Sequence, residues 1–207
     1  MIFVISGPSG VGKGTLVERI VELAPAIHVG RSCTTRRPRL GGHNGERYHF
    51  LVHEDFGIKV ANNEFAEWAE VHGHLYGTPK KELEHEVVLL EIDCQGARTI
   101  KERYPQAQTI FILPPTYLEL EKRLRYREQG RSESEILKRL ATAAREIHQV
   151  SLFDYWIENH EINQSVQKLW MLLQILHNQG KPERSHFRCS TLLGRVQGSF
   201  PSNGMSV

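Results

Sequence analysis

The sequence predicts an α/β fold in which helices flank a parallel sheet. Short apolar runs that suit buried strands alternate with longer stretches of helical periodicity, a pattern typical of strand–helix–strand crossovers. A chain of 207 residues, 40% of them hydrophobic, is long enough for one domain with a substantial core and small inserted lobes. A glycine-rich turn joins the first apolar run to the first helical stretch.

The strands are predicted at the short apolar runs. The first run is Ile2–Ile5, at the start of the chain. Two more strands are predicted over Val87–Ile92 and Thr109–Leu113, and Tyr155–Glu158 is a weaker fourth. Runs that are apolar on both sides are what strands buried between two layers of helices require.

Helical periodicity and capping residues predict the helices. Leu16, Ile20 and Leu23 share one face of the first helix at the i, i+4 and i+7 spacing. Ser132 followed by Glu135 fits a capping box at the start of a later helix. The two later helices are predicted over 133–150 and 163–178.

The turn after the first strand has the spacing of a phosphate-binding loop. Gly7, Gly12 and Lys13 fit G-x-x-x-x-G-K, in which backbone N–H groups, a helix N-terminus and a lysine all attract phosphate. The alternative is a glycine turn without a ligand. Gly14 replaces the usual hydroxyl residue after the lysine, so Thr15 is the expected magnesium contact, directly or through water. The predicted loop comprises Gly7, Pro8, Ser9, Gly10, Val11, Gly12, Lys13, Gly14 and Thr15.

A basic cluster follows the first helix. Two guanidinium groups at i and i+3 can clamp a phosphate dianion by forked hydrogen bonds. The alternative is a solvated basic loop, and charge alone does not decide between them. The cluster comprises Arg31, Arg36, Arg37, Arg39 and Arg47, and Tyr48 follows it.

Glu67 is a candidate for base recognition. It lies in the partly apolar stretch "NNEFAEWAEVHGHLYGTP". A carboxylate there could accept two hydrogen bonds from adjacent N–H groups, and guanine offers N1–H and N2–H side by side. The alternative for this residue alone is an exposed position on a helix.

Taken together, the motifs of this chain resemble the guanylate kinase family, whose members phosphorylate GMP with ATP. The resemblance runs from Met1 to about His177. The motifs occur in the family's order and nearly at its spacing: "SGPSGVGKGTL", "TTRRPRLGGHNGERYHF", "NNEFAEWAEVHGHLYGTP", "LLEIDCQGA", "IFILPP" and "KRLATAAREI".

The resemblance implies a role for each matching residue. Arg36, Arg39, Tyr48 and Tyr76 hold the GMP phosphate, while Ser32, Glu67, Thr78 and Asp93 read the guanine. Lys13, Arg127 and Arg139 bind the transferring phosphates of ATP, with Arg123, Arg125 and Arg131 as competitors for the lid role. Mg²⁺ is the implied metal, with Thr15 and Glu91 as its candidate ligands.

The resemblance also implies the domain organisation. Residues 1–179 form one guanylate kinase-like domain with a P-loop NTPase-type core, an inserted GMP-binding lobe and a helical lid. The core takes about 1–30, 79–118 and 141–179, the lobe about 31–78 and the lid about 119–140. The remaining residues, 180–207, form a divergent basic tail that is expected to be flexible.

The sequence departs from the family pattern at several places. Gly42 stands where the family usually has an acidic residue, so the arginine clamp is expected to be looser. The connection over 79–87 is about five residues shorter, which predicts a shorter helix and could displace Asp93 from the guanine. In "ENHE" the usual acids are missing, although Asn159 is retained.

Composition sets limits on compartment and partners. A net charge of +2 predicts neither a nucleic-acid nor a membrane partner. The three cysteines are far apart and suit neither a disulfide framework nor a zinc site, so a reducing compartment is expected. With no visible leader or apolar span, the chain is expected to be cytoplasmic, as a monomer or a homodimer.

Two other functions remain open on the sequence. One is a non-catalytic guanylate kinase-like module that binds a protein partner, although such modules typically have a degraded phosphate loop. The other is a kinase of the same fold for a sugar phosphate such as ribose 1,5-bisphosphate. Glu67, Thr78 and Asp93 together disfavour it, because a sugar phosphate has no guanine edge.

Overall fold

The chain folds into two compact units that interleave along the sequence. The structure is a computed structural model, and it describes residues 1–38 and 47–178. The first unit is Met1–Ser6 with Val17–Ile110, and the second is Gly7–Leu16 with Phe111–Val207. Two elements contribute residues to both units, namely α1 (Lys13–Leu23) and β8 (Gln108–Leu113).

The parallel sheet of the first unit contains the buried apolar runs. β1 (Ile2–Ser6) and β2 (His28–Val29) both pair in parallel with β7 (Val88–Glu91). The order is β2-β7-β1-β8. Every residue of β1 is buried, because the strand is covered on both faces. α3 (Cys94–Arg103) packs against β1. Asp93 caps its N-terminus, and the Asp93 side chain accepts a hydrogen bond from the Gly96 N–H at 3.0 Å.

A second sheet of four strands forms the inserted lobe of the first unit. Its order is β4-β3-β6-β5, with β3 and β4 parallel and the other neighbours antiparallel. A one-turn 3₁₀ helix, Lys80–Leu83, follows β6 and replaces the longer helix of the family pattern. The strands are β3 (Ser32–Thr34), β4 (Tyr48–Phe50), β5 (Phe65–Val71) and β6 (His74–Pro79).

One face of the lobe sheet is packed against α2 (His53–Ala61). Phe56 of this helix is buried in a cluster with Cys33 and Phe65, and the two phenyl rings stack with centroids 4.6 Å apart. Side chains alternate between the faces of a strand, so Ser32 and Thr34 lie on the opposite face from Cys33. The apolar cluster therefore leaves the other face of the lobe to polar side chains.

The second unit combines β9 (Tyr155–Glu158), which lies next to β8, with three helices among its described residues. These helices are α4 (Tyr117–Arg127), α5 (Glu133–Ile147) and α6 (Ile162–Asn178). α4 meets α5 through a cluster of Leu124, Ile136 and Leu140. The predicted capping box starts α5, since Ser132 and Glu135 exchange side-chain-to-backbone hydrogen bonds.

The structure confirms the predicted α/β class with a parallel sheet, and it corrects details. All four predicted strands form, and no strand end is shifted by more than one residue. Leu23 is 55% exposed rather than buried with Leu16 and Ile20, because it is the last residue of α1. α5 ends at Ile147 instead of reaching residue 150, where a 3₁₀ turn begins. No helix of the described ranges is long and apolar enough to cross a membrane.

Candidate active site

The phosphate-binding loop of the second unit is held in a backbone conformation that requires glycine. Gly7, Gly10 and Gly12 have φ values of +141°, +88° and +100°, which side chains other than glycine rarely tolerate. A Cβ on Gly12 would lie 2.7 Å from Nδ2 of Asn159, and one on Gly7 would collide with the carbonyl of Ile112. The turn therefore lies close against its neighbours and has no room for a side chain at Gly7 or Gly12.

Lys13 folds back over this loop. Its Nζ donates hydrogen bonds to the carbonyl oxygens of Gly7, at 2.5 Å, and Pro8, at 3.1 Å. Lys13 is the first residue of α1, so its ammonium group lies at the positive end of a helix as well as over the loop. Both features place positive charge at this loop, as the predicted phosphate site requires.

Asn159 fixes the phosphate-binding loop from the end of β9. Its side chain is buried, and its Nδ2 donates a hydrogen bond to the carbonyl of Val11 at 2.8 Å. Its backbone N–H donates to the carbonyl of Leu113, also at 2.8 Å. The sequence showed that Asn159 was retained beside missing acids, but nothing local indicated that it would contact a loop 148 residues away.

The arginines of the second unit that were candidates for the lid role differ in their contacts. Arg127 reaches the phosphate-binding loop, where its Nη2 donates to Ser9 Oγ at 2.5 Å. Arg123 instead donates to the carbonyl of Asn159, and Arg125 pairs with Glu133. Among these three candidates, Arg127 is therefore the one placed over the loop.

Arg127 and Arg139 share a partner. The carboxylate of Glu128 lies 3.2 Å from Nη2 of Arg127 and 3.5 Å from Nη1 of Arg139, and it also pairs with Arg131. Glu128 has only 3% of its side chain exposed. No sequence pattern singled out Glu128, because it lies in a segment dense in charge and outside the family motifs.

Glu67 is buried in the lobe sheet of the first unit. It lies on β5, so the alternative of an exposed helix position is wrong. Thr78 of the adjacent β6 is fully buried, and its Oγ1 donates to Glu67 Oε1 at 2.5 Å. The remaining carboxylate oxygen lies against Gly96, where an added Cβ would be 2.6 Å away. Gly96 was missed in the sequence, although its lack of a side chain makes this room.

Burial, with a smaller contribution from the nearby charge of Asp93, raises the pKa of Glu67 to about 7. The hydrogen bond from Thr78 acts in the opposite direction and favours the ionised form. Asp93 is thus close enough to Glu67 to act on it, even though its own carboxylate caps α3. A carboxylate with this pKa is partly ionised at neutral pH and can accept hydrogen bonds in a dry pocket.

Aromatic rings support Arg36 in the lobe. The guanidinium carbon of Arg36 lies 5.5 Å from the ring centroid of Tyr48 and 5.8 Å from that of Phe50. Tyr76 meets Tyr48 edge to face at 6.1 Å. Burial raises the pKa of Tyr48 to about 12, so its hydroxyl remains a hydrogen-bond donor at any physiological pH. The structure therefore brings together one guanidinium and two phenols; Arg39 and Gly42 lie outside the described residues.

Ser32 completes this lobe, and Arg47 ties it to the rest of the first unit. Ser32 is buried on β3, directly opposite Tyr48 in the register with β4. Arg47 pairs with Glu18 of α1 at 2.7 Å and with Glu91 of β7 at 3.0 Å. Arg47 is therefore an anchor between elements rather than part of the clamp around Arg36.

The candidate magnesium ligands are both oxygen donors. Thr15 is exposed on α1 and offers a hydroxyl, while Glu91 offers a carboxylate that pairs with Arg47. Within the described ranges, no group of three or more His, Cys, Asp or Glu side chains could hold a metal. Hydroxyl and carboxylate oxygens suit Mg²⁺, which takes few protein ligands when phosphates and water complete its shell. Each of the two residues thus offers a donor atom of the type that this ion prefers.

Comparisons with known proteins agree with the sequence motifs. A family model described as guanylate kinase matches residues 1–176. A guanylate kinase of Synechocystis sp. is 44% identical over 177 residues, which cover 83% of this chain and 92% of the relative. One from Carboxydothermus hydrogenoformans is 40% identical, with coverage of 91% and 93%. The crystal structure of guanylate kinase from Anaplasma phagocytophilum matches with a TM-score of 0.71, at 32% identity and 94% coverage of each chain.

Proposed function

Because this chain belongs to the guanylate kinase family and transfers the γ-phosphate of ATP to GMP, we propose that Glu67 and Thr78 recognise the guanine base. The observation that carries this assignment is the buried carboxylate of Glu67, with one oxygen held by Thr78 and the other against Gly96. An ionised carboxylate accepts from guanine N1–H and N2–H together, whereas adenine offers no such pair. Ser32 and Asp93 lie on the adjoining elements and complete the base pocket.

The phosphate of GMP binds at Arg36, Tyr48 and Tyr76. The position of Arg36 over two aromatic rings supports this role, because cation–π contacts hold the guanidinium in place while its N–H groups can still form forked hydrogen bonds to phosphate oxygens. Tyr48 donates its hydroxyl hydrogen because its pKa lies far above neutral. Arg39 is the fourth proposed member, from the family pattern.

ATP binds with its phosphates on the loop from Gly7 to Thr15, under Lys13. The phosphate of GMP is already an anionic nucleophile, so the chemistry requires alignment and charge neutralisation rather than a strong general base. Lys13, Arg127 and Arg139 offset the charge on the equatorial oxygens of the transferring group. The contact of Arg127 with Ser9 supports a place for this arginine over the loop.

Mg²⁺ is the proposed metal, with Thr15 and Glu91 as its protein ligands. When bound with ATP, the ion neutralises phosphate charge and orients the chain of phosphates. Glu91 would share its carboxylate between Arg47 and the ion's shell. The cytoplasm is the proposed compartment, supported by the buried thiols of Cys33 and Cys94.

The test of base recognition is Glu67→Gln. This change keeps the shape but replaces an acceptor with an amide donor, and it should weaken the preference for GMP over AMP by about 1–3 kcal/mol in kcat/KM. Glu70→Gln, on the exposed side of the same strand, is the matched control. If Glu67→Gln discriminates against AMP as well as the unmodified enzyme does, the base is read elsewhere.

A further inference from the structure

Glu128 is a buried acid in the most charged part of the second unit. It is the C-terminal cap residue of α4, and its backbone N–H donates to the carbonyl of Leu124 at 3.0 Å. Only 3% of its side chain is exposed, while the carboxylates of Glu133 and Glu135 nearby in sequence are 60% and 47% exposed. A carboxylate is withdrawn from water only where opposite charge compensates for the lost hydration.

Three arginines supply that compensation. Arg127 and Arg131 flank Glu128 along the chain, and Arg139 approaches from α5 at 3.5 Å. Without the carboxylate, three guanidinium groups would meet with a combined charge of +3, and mutual repulsion would drive them apart. With it, the cluster carries +2 and joins the end of α4 to α5. Arg139 is only 14% exposed, so it has little room to relocate.

The ion pair with Glu128 leaves Arg127 in contact with the phosphate-binding loop. Nε and Nη2 of Arg127 both lie 3.2 Å from Glu128 Oε1, while Nη2 also donates to Ser9 Oγ at 2.5 Å. A guanidinium has five N–H donors, so one edge can be held by the carboxylate and others remain for phosphate oxygens. The carboxylate therefore orients this arginine in the place where phosphate would arrive.

We propose that Glu128 is a positioning residue that holds Arg127 and Arg139 together for the transferring phosphate. This inference rests on the roles proposed above for the two arginines. It extends beyond them because Glu128 lies outside the family motifs and touches no reacting atom. Its contribution is pre-organisation: the two cations are assembled before ATP binds, so they need not be gathered during the reaction.

The test is Glu128→Gln, which preserves volume but removes the negative charge. We expect kcat to fall about 10- to 100-fold, the scale for a misplaced contact near reacting groups. The KM for GMP should stay unchanged, and the KM for ATP should change far less than kcat. Glu133→Gln is the control, because it removes a carboxylate–arginine pair that involves Arg125 instead. It should leave kcat at the level of the unmodified enzyme.

A second variant and a double-mutant comparison separate positioning from folding. Glu128→Asp keeps the charge on a shorter arm, and it should fold with an unchanged melting temperature and an intermediate kcat. Glu128→Gln combined with Arg139→Lys should cost less than the product of the two single effects, because both disrupt one cluster.

Two results would overturn the proposal. One is an unchanged kcat in both Glu128 variants. The other is a lower KM for ATP at unchanged kcat in Glu128→Gln, which would mean that the carboxylate competes with phosphate for the arginines. If the unmodified enzyme itself did not phosphorylate GMP, the proposed function would fail instead, and the two failures are thus distinguishable.

Discussion

If Glu67 reads the guanine as proposed, its burial links the binding of GMP to pH. Its pKa of about 7 means that the ionised form, which alone accepts both guanine N–H groups, is gained as the pH rises from 6 to 8. We expect the Kd for GMP to fall across this range and to level off above the pKa, with a limiting slope of about tenfold per pH unit on the acid side. Isothermal titration calorimetry at a series of pH values measures this directly.

The control for this prediction is the Glu67→Gln variant. The phosphate of GMP also titrates, with a second pKa near 6, and that contribution persists when Glu67 is gone. The variant should therefore show a weaker and more acidic pH dependence than the unmodified enzyme. Identical profiles would assign the titration to the ligand alone.

A change at Lys13 is expected to affect turnover but not the binding of GMP. Its Nζ lies over the carbonyl oxygens of the loop, in the second unit, whereas the proposed GMP contacts belong to the first. Lys13→Ala should lower kcat by about 100- to 1,000-fold, the range for loss of one electrostatic donor, and leave the Kd for GMP unchanged. Steady-state kinetics and GMP titration test this, with Arg19→Ala on the same helix as control. Equal turnover would exclude Lys13 from the chemistry.

The strands of the two sheets show which single elements can be predicted from the sequence and which cannot. β1, β7 and β8 are predictable because each is a dense apolar run. β3 and β4 are only three residues long, and they are held by pairing with each other and by β6. Such pairing depends on residues distant in sequence, so local patterns do not predict it.

The second unit also contains one feature that local sequence predicts and one that it does not. The start of α5 is predictable because its capping box is local, involving Ser132 and Glu135. The contact of Asn159 with Val11 is not, since the hydrogen bond joins the end of β9 to the phosphate-binding loop. The motif predicts which residues bind phosphate, but the residue that holds the loop in shape lies elsewhere in the sequence.

Asn159 therefore offers a prediction at the level of elements. Asn159→Ala leaves the buried carbonyl of Val11 without its side-chain donor, at a cost of about 1–3 kcal/mol in unfolding free energy. The KM for ATP should rise because the loop loses its brace, and the Kd for GMP should not change. Urea unfolding and steady-state kinetics measure the two effects.

The adjacent residue supplies the control for the Asn159 variant. His160 is exposed, and its ring pairs with Glu158 rather than with the loop. His160→Ala should therefore be neutral in both measurements. An unchanged KM for ATP in Asn159→Ala would show that the loop keeps its shape without the side-chain contact.

At the scale of the whole molecule, the sequence predicted the fold class and the family, and the comparisons confirm both. What it could not predict is which charged residues are buried. Glu67 has other glutamates close by in sequence and Glu128 lies in a stretch rich in Glu and Arg, yet each is almost fully buried while neighbours such as Glu70 are exposed. Burial is set by packing between elements, and composition records only how many charges a segment carries.

Ligand binding should stabilise the whole chain selectively. GMP binds only the folded protein, so at a concentration of about 100 times its Kd it should stabilise the fold by about 2.7 kcal/mol. Thermal melting with increasing GMP should show a midpoint that rises with concentration, and AMP at equal concentrations should raise it much less. An equal effect of both nucleotides would argue against a base-specific pocket.

The dry environment of Glu67 also has an evolutionary consequence. The folded state favours the protonated carboxyl, so stability contributed by this group declines as the pH rises from its ordinary value of 4.5 through about 7. At neutral pH the buried carboxyl of Glu67 therefore lowers the free energy of unfolding of the unliganded enzyme. Selection for stability alone would not place an acid at this buried position, and accepting such a cost is what a residue that serves substrate choice requires.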